Sequence, residues 1–407
     1  MSYWQDWRFV VRQKSEKTII FYGRSEDWVP KSLPYINPEY IIDSNSDYHG
    51  GRFYDIPVVS IEYIISKYSS LDDVYIVITS GQYAGIISAL EEKGYVAGVH
   101  FCCCPEYRDY EYLDTVRTYA KDVIVTSPDY KSGRATRFSR AGGGIFNINI
   151  GAGQDDYKVR KLKDGQYRQI IAYRDLYVAV EFNKGQLELF DKNFNLIDTK
   201  KLDRAHYCGL AYCQKHDIFY VANAATDTIS VLDSDFKSLD LISFSNKSGT
   251  HGESHHHIND IVVDEGNLFV SYFSKSGHWK YDIFDGGASV WDPIRGLFEE
   301  VIGGLWQPHT PRVFQGKFHI LDSNRGDFYA DTYKVSATFP GFLRGLDFNT
   351  EYYAIGLSES MYSSRLIGVK NNIMMNAGVF LYEPISHASR FYPLLDVANI
   401  HSVLFRI

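Results

Sequence analysis

The sequence lacks the features that would tie a chain to a membrane, a nucleic acid or an oxidising compartment. No apolar run approaches the ~18 residues needed to cross a bilayer, and the opening MSYWQDWRFVVRQKSEK has no apolar core of a secretory signal. Lys and Arg are never clustered into a block, and the formal net charge is -8, so the attraction that drives binding to nucleic acid or anionic lipid is missing. Cysteines number five (Cys102, Cys103, Cys104, Cys208 and Cys213), an odd count without Cys-x-x-Cys pairs. Such usage suits a reducing compartment better than a disulfide framework. The expectation is a cytoplasmic protein with no nucleic-acid or membrane partner. Adjacent strand residues point to opposite faces, so the FCCCPEY triplet converges poorly on one ion and reads as structural.

What is present is length and aromatic content. A chain of 407 residues exceeds one ordinary hydrophobic core, and 32 tyrosines suit half-buried strand positions. Two domains are expected, at residues 1–121 and 122–407. The first alternates KTIIFYG, EYIIDSN, DVYIVITS, GQYAGIISALEEKGY and VAGVHFCC. Strand, turn and helix in that order predict βαβ units, an α/β Rossmann-like domain. Its nucleotide-binding candidates are Gly23, in the turn after the first strand, and Asp43, which ends the second and would meet a ribose hydroxyl. Gly23 stands alone where a dinucleotide site needs three glycines.

The segment IIFYG…YIIDSNSDYHGGRFYDIPVVSIEYI…VYIVITSGQYAGIISALEEKGY resembles the N-terminal sugar-nucleotide-binding domain of bacterial sialic-acid and bacillosamine-type acyltransferases. Gly50, Gly51, Ile56, Pro57 and Val58 carry the likeness. Arg24, Ser25 and Glu26 replace that family's phosphate-side glycines. The resemblance implies a nucleotide-linked sugar as ligand.

From about residue 122 the pattern becomes short alternating strands with turn signals every 8 to 12 residues, which reads as all-β. HYCGLAYCQKHDIFYVANAATDTISVLD, HINDIVVDEGNLFVSYFSKSGH, HTPRVFQGKFHILDSNRGDFY and FLRGLDFNTEYYAIGLSES share one layout. With YRQIIAYRDLYVAVEFNKGQLELFD and DVIVTSPDY…GGGIFNINI they predict a six-bladed β-propeller. NIHSVLFRI reads as a further inner strand that closes the ring. Gly142 to Gly144 more readily let a strand enter the propeller closely than cradle a phosphate.

Three of these copies begin at His206, His257 and His309, intervals of 51 and 52 residues. Inner strands of a propeller line its central channel, so equivalent strand starts ring one mouth. The spacing therefore predicts three converging imidazoles, with His401 as a fourth if its register matches. Neutral imidazoles from separate blades would bind a divalent transition metal such as Zn, Mn or Fe, while other positions take substrate or water. Of the His255-His256-His257 run, alternation sends His256 to the opposite face. Asn259, Asp260 and Arg312 stand within three residues of these histidines and Arg344 in the corresponding part of the sixth blade, the arginines to hold a carboxylate or phosphate. Glu359 is the carboxylate best placed for proton transfer. Asp322, Arg325, Asn223 and Asp227 end second strands, as partners that orient the histidines or as turn-formers.

Residues 122 to 360, with HHHINDIVV, QPHTPRVFQGKFHILDSNRGDF and TFPGFLRGLDF, resemble an uncharacterised bacterial family of unknown function expected to be propellers. In architecture the region is also similar to the gluconolactonase and strictosidine-synthase type, which implies a divalent ion in the channel mouth. The resulting expectation is a metal-dependent lyase, epimerase or hydrolase acting on a carbohydrate or nucleotide-linked sugar. The alternative is a non-catalytic scaffold that recognises a nucleotide sugar or a protein partner. Oligomeric state leaves no signal in the sequence.

Overall fold

The computed structural model describes residues 3–129, 142–151, 157–249, 254–331, 334–359, 373–395 and 397–406. The chain divides into two compact units, residues 1–115 and 116–407. Among the described residues no helix is long and apolar enough to cross a membrane.

The first unit is built on one six-stranded sheet. Its strands are β1 (Thr18–Tyr22), β2 (Tyr40–Ile42), β3 (Arg52–Phe53), β4 (Ile56–Val59), β5 (Val74–Ile78) and β6 (Phe101–Cys103), in the order β3-β4-β2-β1-β5-β6. All neighbours pair in parallel except β3 with β4. The central strands TIIFY and VYIVI are buried almost throughout, as continuous apolar runs must be when both faces are covered. The helices are few and short, the longest being Tyr83–Glu92. What the structure shows is a mainly parallel α/β sheet; it does not establish the Rossmann-like assignment. The cysteine triplet is buried here, and burial pushes the Cys102 thiol up to about 12, so it is an inert core residue.

The second unit is a six-bladed β-propeller, as the repeat predicts. Five four-stranded sheets follow one another in sequence order, with inner strands Tyr167–Tyr173, Tyr207–Cys213, Ile258–Asp264, His309–Phe314 and Phe342–Phe348. The sixth is composite: Ser402–Phe405 supplies the inner strand to Lys121–Ser127, Gly144–Ile150 and Tyr157–Asp164. We number this blade 1 and the others 2 to 6 in chain order. Its closing strand runs antiparallel to Lys121–Ser127, with Ser402 opposite Thr126 and Phe405 opposite Val123. The expected closure by NIHSVLFRI is thus seen directly. Large side chains fill the seams between blades: Tyr173, Val178, Tyr207 and Phe219, for example, between blades 2 and 3.

Around the channel, side chains of one blade also bond to the backbone of the next. Thr126 Oγ1 donates to the Arg168 carbonyl. Gln169 accepts from Leu210 N (3.0 Å) and donates to the Ile261 carbonyl (3.0 Å), spanning blades 2, 3 and 4. Asp260 Oδ2 accepts from Thr310 N (2.9 Å) and Thr310 Oγ1 (3.0 Å), and that hydroxyl accepts from Gly345 N (3.0 Å). Ser358 Oγ donates to the Ile400 carbonyl (3.0 Å) and accepts from Ile400 N (2.9 Å). Every blade is tied to its neighbour.

Inner strands approach one another closely enough to demand glycine at Gly209, where an added Cβ would run into the Asn259 carbonyl of blade 4. The Gly209→Ala variant should therefore lose about 1–3 kcal/mol of stability, the usual cost of overpacking a tight core. Denaturant unfolding checks this; unchanged stability would show that the blades have slack.

Candidate functional site

Inner strands of blades 3, 4 and 5 begin at Tyr207, Ile258 and His309, evenly spaced by 51. His206 and His257 therefore precede their strands by one residue, whereas His309 is the first residue of its own. The 52-residue interval matters because a one-residue offset in a strand turns a side chain to the other face. His206 and His257 are half-buried at the channel mouth, and both adopt positive φ (+70° and +54°). His309 and His401 are fully enclosed, their rings 6.4 Å apart.

His309 has no lone pair to give a metal. Its Nδ1 donates to the Gln307 carbonyl (2.9 Å) and lies 2.8 Å from Ser323 Oγ, so the tautomer leaves Nε2 as acceptor. Arg344 Nε donates to that nitrogen at 3.1 Å. Among the described residues no group of three or more His, Cys, Asp or Glu is arranged to hold a metal ion. The charges agree with the donors: the cations of Arg168, Arg344 and Arg312 act on His401, and those of Arg168, Arg344 and Lys280 act on His257. Guanidinium groups repel a divalent cation and attract an anion. The expected ring of His206, His257, His309 and His401 therefore does not fit Zn, Mn or Fe.

The histidine run lies ahead of its strand, so alternation does not sort it: the His255 and His256 rings meet at 4.5 Å, and His257 leaves them through its positive φ. Asp227 accepts from the backbone N–H groups of His255 (2.7 Å), His256 (2.8 Å) and Ile258 (3.0 Å), fixing the turn before the strand. His256 is buried, its Nδ1 donating to the Ser274 carbonyl (2.9 Å) and its Nε2 facing Ser245 Oγ (2.8 Å). His257 turns to the mouth, packed against Phe273 and Trp279 with ring centroids 4.6 Å from each. Burial and nearby cations hold its pKa down to about 3, so the ring is neutral at physiological pH. The other second-strand ends also brace backbone: Asn223 donates to the Ala205 carbonyl (3.2 Å), and Asp322 accepts from Trp306 N (2.9 Å). They orient chain segments ahead of inner strands and do not touch the imidazoles by these bonds. Burial also raises the Asp322 carboxyl to about 7.

A cavity of about 330 Å³ opens at this mouth. Arg168, His206, His257, Asn259, Trp279 and Lys280 supply its chemistry, and no carboxylate is found among its described lining residues. Arg168, Cys208 and Asn259 each stand second in the inner strands of blades 2, 3 and 4; Asn259 is within reach of the sequence as a neighbour of His257, whereas attention to the strand-leading histidines misses Arg168 and Cys208. Trp279 and Lys280 come from the loop after the second strand of blade 4. Asp285 pins that loop, accepting from Lys275 N (3.0 Å) and Ser276 N (2.9 Å). The indole Nε1 of Trp279 is buried without a hydrogen-bond partner among the described residues.

The remaining candidates separate. Arg344 lies deep in the channel beside His309. Asp260 serves the inter-blade belt through Oδ2, while its Oδ1 lies 3.7 Å from His401 Nε2. Arg312 lines a different cavity of about 210 Å³ with Ile171, Tyr212 and Leu404, at the later ends of the inner strands and hence at the opposite mouth. It cannot hold an anion bound beside His257. Glu359 follows the second strand of blade 6, its N–H donating to the Ala398 carbonyl (2.8 Å) and its carboxyl pushed up by burial and by Asp129. No hydrogen bond or ion pair among the described residues ties it to the histidines.

In the first unit, Gly23 has φ +113°, and an added Cβ would collide with Ser80 Cβ. Close approach of the β1 and β5 ends accounts for it. Asp43 Oδ1 accepts from Asn45 N (2.8 Å), and Oδ2 faces Arg24 Nε at 3.9 Å. Both residues expected to bind nucleotide have structural work at the strand ends.

Residues 202–379 match the family model described as Domain of unknown function (DUF4915), which lies within the propeller. No curated protein matches the chain at a significant level. Solved structures similar in fold include a chain of the nidogen/laminin complex, at 8% identity over 71% of this chain and 99% of that one, with a TM-score of 0.48. A protein of unknown function from Bacteroides caccae follows at 10% identity, 70% and 98% coverage and a TM-score of 0.46. A provisionally assigned gluconolactonase is 12% identical over 57% and 79% of the two chains, with a TM-score of 0.42. At these identities none transfers a residue or a reaction to this chain.

The neutral state of His257 has a thermodynamic signature. The unfolded residue titrates near 6.5, so below that pH the unfolded state takes up a proton that the folded ring refuses until about pH 3. Folded stability is thus lost as pH falls. The stability of wild type relative to His257→Gln should drop by about 1.4 kcal/mol per pH unit between pH 6 and pH 4. Parallel urea titrations across that range check it; a pH-independent difference would mean that the ring protonates freely.

Proposed function

We propose that the propeller mouth beside His257 binds a small carbohydrate carrying a carboxylate or phosphate, and that the protein is an enzyme acting on it. The carrying observation is a cavity with Arg168 and Lys280 on its wall, an aromatic surface at Trp279 and no carboxylate among its described lining residues. Guanidinium and ammonium groups pair with the anionic end, Arg168 in particular offering the planar donor geometry that suits oxyanions. Trp279 offers an apolar ring for the C–H face of a sugar. Its size suits a monosaccharide.

His257 supports a proton-transfer role through the same charges. Cations of Arg168 and Lys280 contribute to holding it neutral. A bound anion offsets them and raises the basicity of the imidazole when substrate is present, moving it towards the range useful to a general base. Lyase, epimerase and hydrolase chemistry all use such a group. The sugar-nucleotide reading of the first unit rests on its sequence resemblance. A scaffold that binds the same ligand without turnover would use the same pocket and differ in leaving the ligand unchanged.

Titration with D-glucuronate, followed by tryptophan fluorescence, tests the site. Wild type should bind, Lys280→Ala should weaken binding at least five-fold, and raising salt from 50 to 500 mM should weaken wild type as screening demands. Equal affinity in wild type and Lys280→Ala, with no salt dependence, would overturn the reading.

A further inference from the structure

The opposite mouth of the channel holds a cavity of about 210 Å³ whose chemistry is unlike that of the first. Its wall is apolar almost throughout, with Ile171, Leu210, Tyr212, Val262, Val263 and Leu404 drawn from the inner strands of blades 1 to 4. Arg312 is the one charged residue among its described lining residues. Gln169, the other polar side chain apart from Tyr212, is spent on joining blades, accepting from Leu210 N and donating to the Ile261 carbonyl. The Tyr212 hydroxyl donates to Asp217 (2.6 Å), outside the lining, so its ring is what remains for the cavity.

Arg312 is short of partners. A guanidinium carries five N–H donors, and among the described residues this one forms a single hydrogen bond, from Nη1 to the adjoining Pro311 carbonyl at 2.9 Å. Asp260 and Asp347 act on it through their field, without an ion pair among the described residues. Oδ2 of Asp260 is taken up by Thr310, and Oδ2 of Asp347 by Phe405 N (2.7 Å). The side chain is half-buried, and the loss of water around it works against its charge. A guanidinium so placed is completed by a planar oxyanion that accepts two of its N–H groups. The two nearby carboxylates restrict that partner to a single negative charge, and the walls call for an apolar body. A volume below the ~300 Å³ at which drug-sized pockets begin confines it to a small molecule.

We propose that this cavity binds a small aliphatic monocarboxylate, its carboxylate on Arg312 and its hydrocarbon body against Ile171, Val262 and Leu404. The site is separate from the mouth beside His257 and does not rest on the reading of that mouth. Its selectivity follows from the wall, because apolar surface strengthens binding several-fold for each methylene it covers and offers a hydroxyl group nothing.

Ligand-observed NMR titrations of the full chain with 4-methylpentanoate, 4-methylpentanamide and acetate test it. Wild type should bind 4-methylpentanoate at least ten-fold more tightly than either of the others, the amide lacking the charge and acetate the body. Arg312→Gln should weaken 4-methylpentanoate at least ten-fold. Ala172→Phe, which fills the cavity from an exposed strand position, should do the same, and Lys280→Ala should leave it within two-fold. The wild-type comparison needs no variant to fold, and Ala172→Phe serves if circular dichroism shows Arg312→Gln unfolded. Equal binding of acid and amide would overturn the site, as would no binding of 4-methylpentanoate. Binding lost in Lys280→Ala and kept in Ala172→Phe would put the acid at the first mouth and overturn it equally.

Discussion

The ring of bonds joining each blade to the next is the constraint on which the site depends. Thr126, Gln169, Asp260, Thr310 and Ser358 each reach across a seam to the neighbouring backbone, most of them at or near the inner strands. Such side-chain bonds contribute only about 1 kcal/mol apiece. Their larger effect is geometric, because they fix the inner strands in register with one another. Residues more than two hundred positions apart in sequence, such as Arg168 and His401, are thereby held at a common axis. Closure by Ser402–Phe405 completes the circle.

That axis is electrically unusual for a chain with a net charge of -8. Arg168, Arg312 and Arg344 all act on His401, and burial keeps His257, His309 and His401 neutral. Two carboxylates, Asp260 and Asp347, act on Arg312, and Asp260 spends one oxygen on Thr310. The channel groups thus carry a positive bias where the mouth cavity opens. Histidines that look like ligands in sequence act instead as neutral, shaped hydrogen-bonding walls.

Much of the propeller is legible in the sequence because its signal is periodic. Repeated turn-bounded strands give six blades, and the terminal NIHSVLFRI declares itself by its alternation. The site is less legible for two reasons. A 51-residue strand period and a 52-residue histidine interval differ by one residue, which suffices to take His309 out of register with His206 and His257. In blades 2, 3 and 4 position two of the inner strand lines the mouth cavity, yet it holds Arg168, Cys208 and Asn259, which share no residue type to flag them. Trp279 and Lys280 come from a loop outside the repeat, so periodicity cannot reach them. Charge balance among buried groups, which decides against a metal, exists only once the chain is folded.

The central claim is that the mouth is an anion site and not a metal centre. Crystals of protein expressed in metal-replete medium and soaked in sodium selenate test it through anomalous scattering. The account predicts a selenium peak between Arg168 and Lys280 beside His257. A transition-metal peak coordinated by His206, His257 and His309 would contradict it.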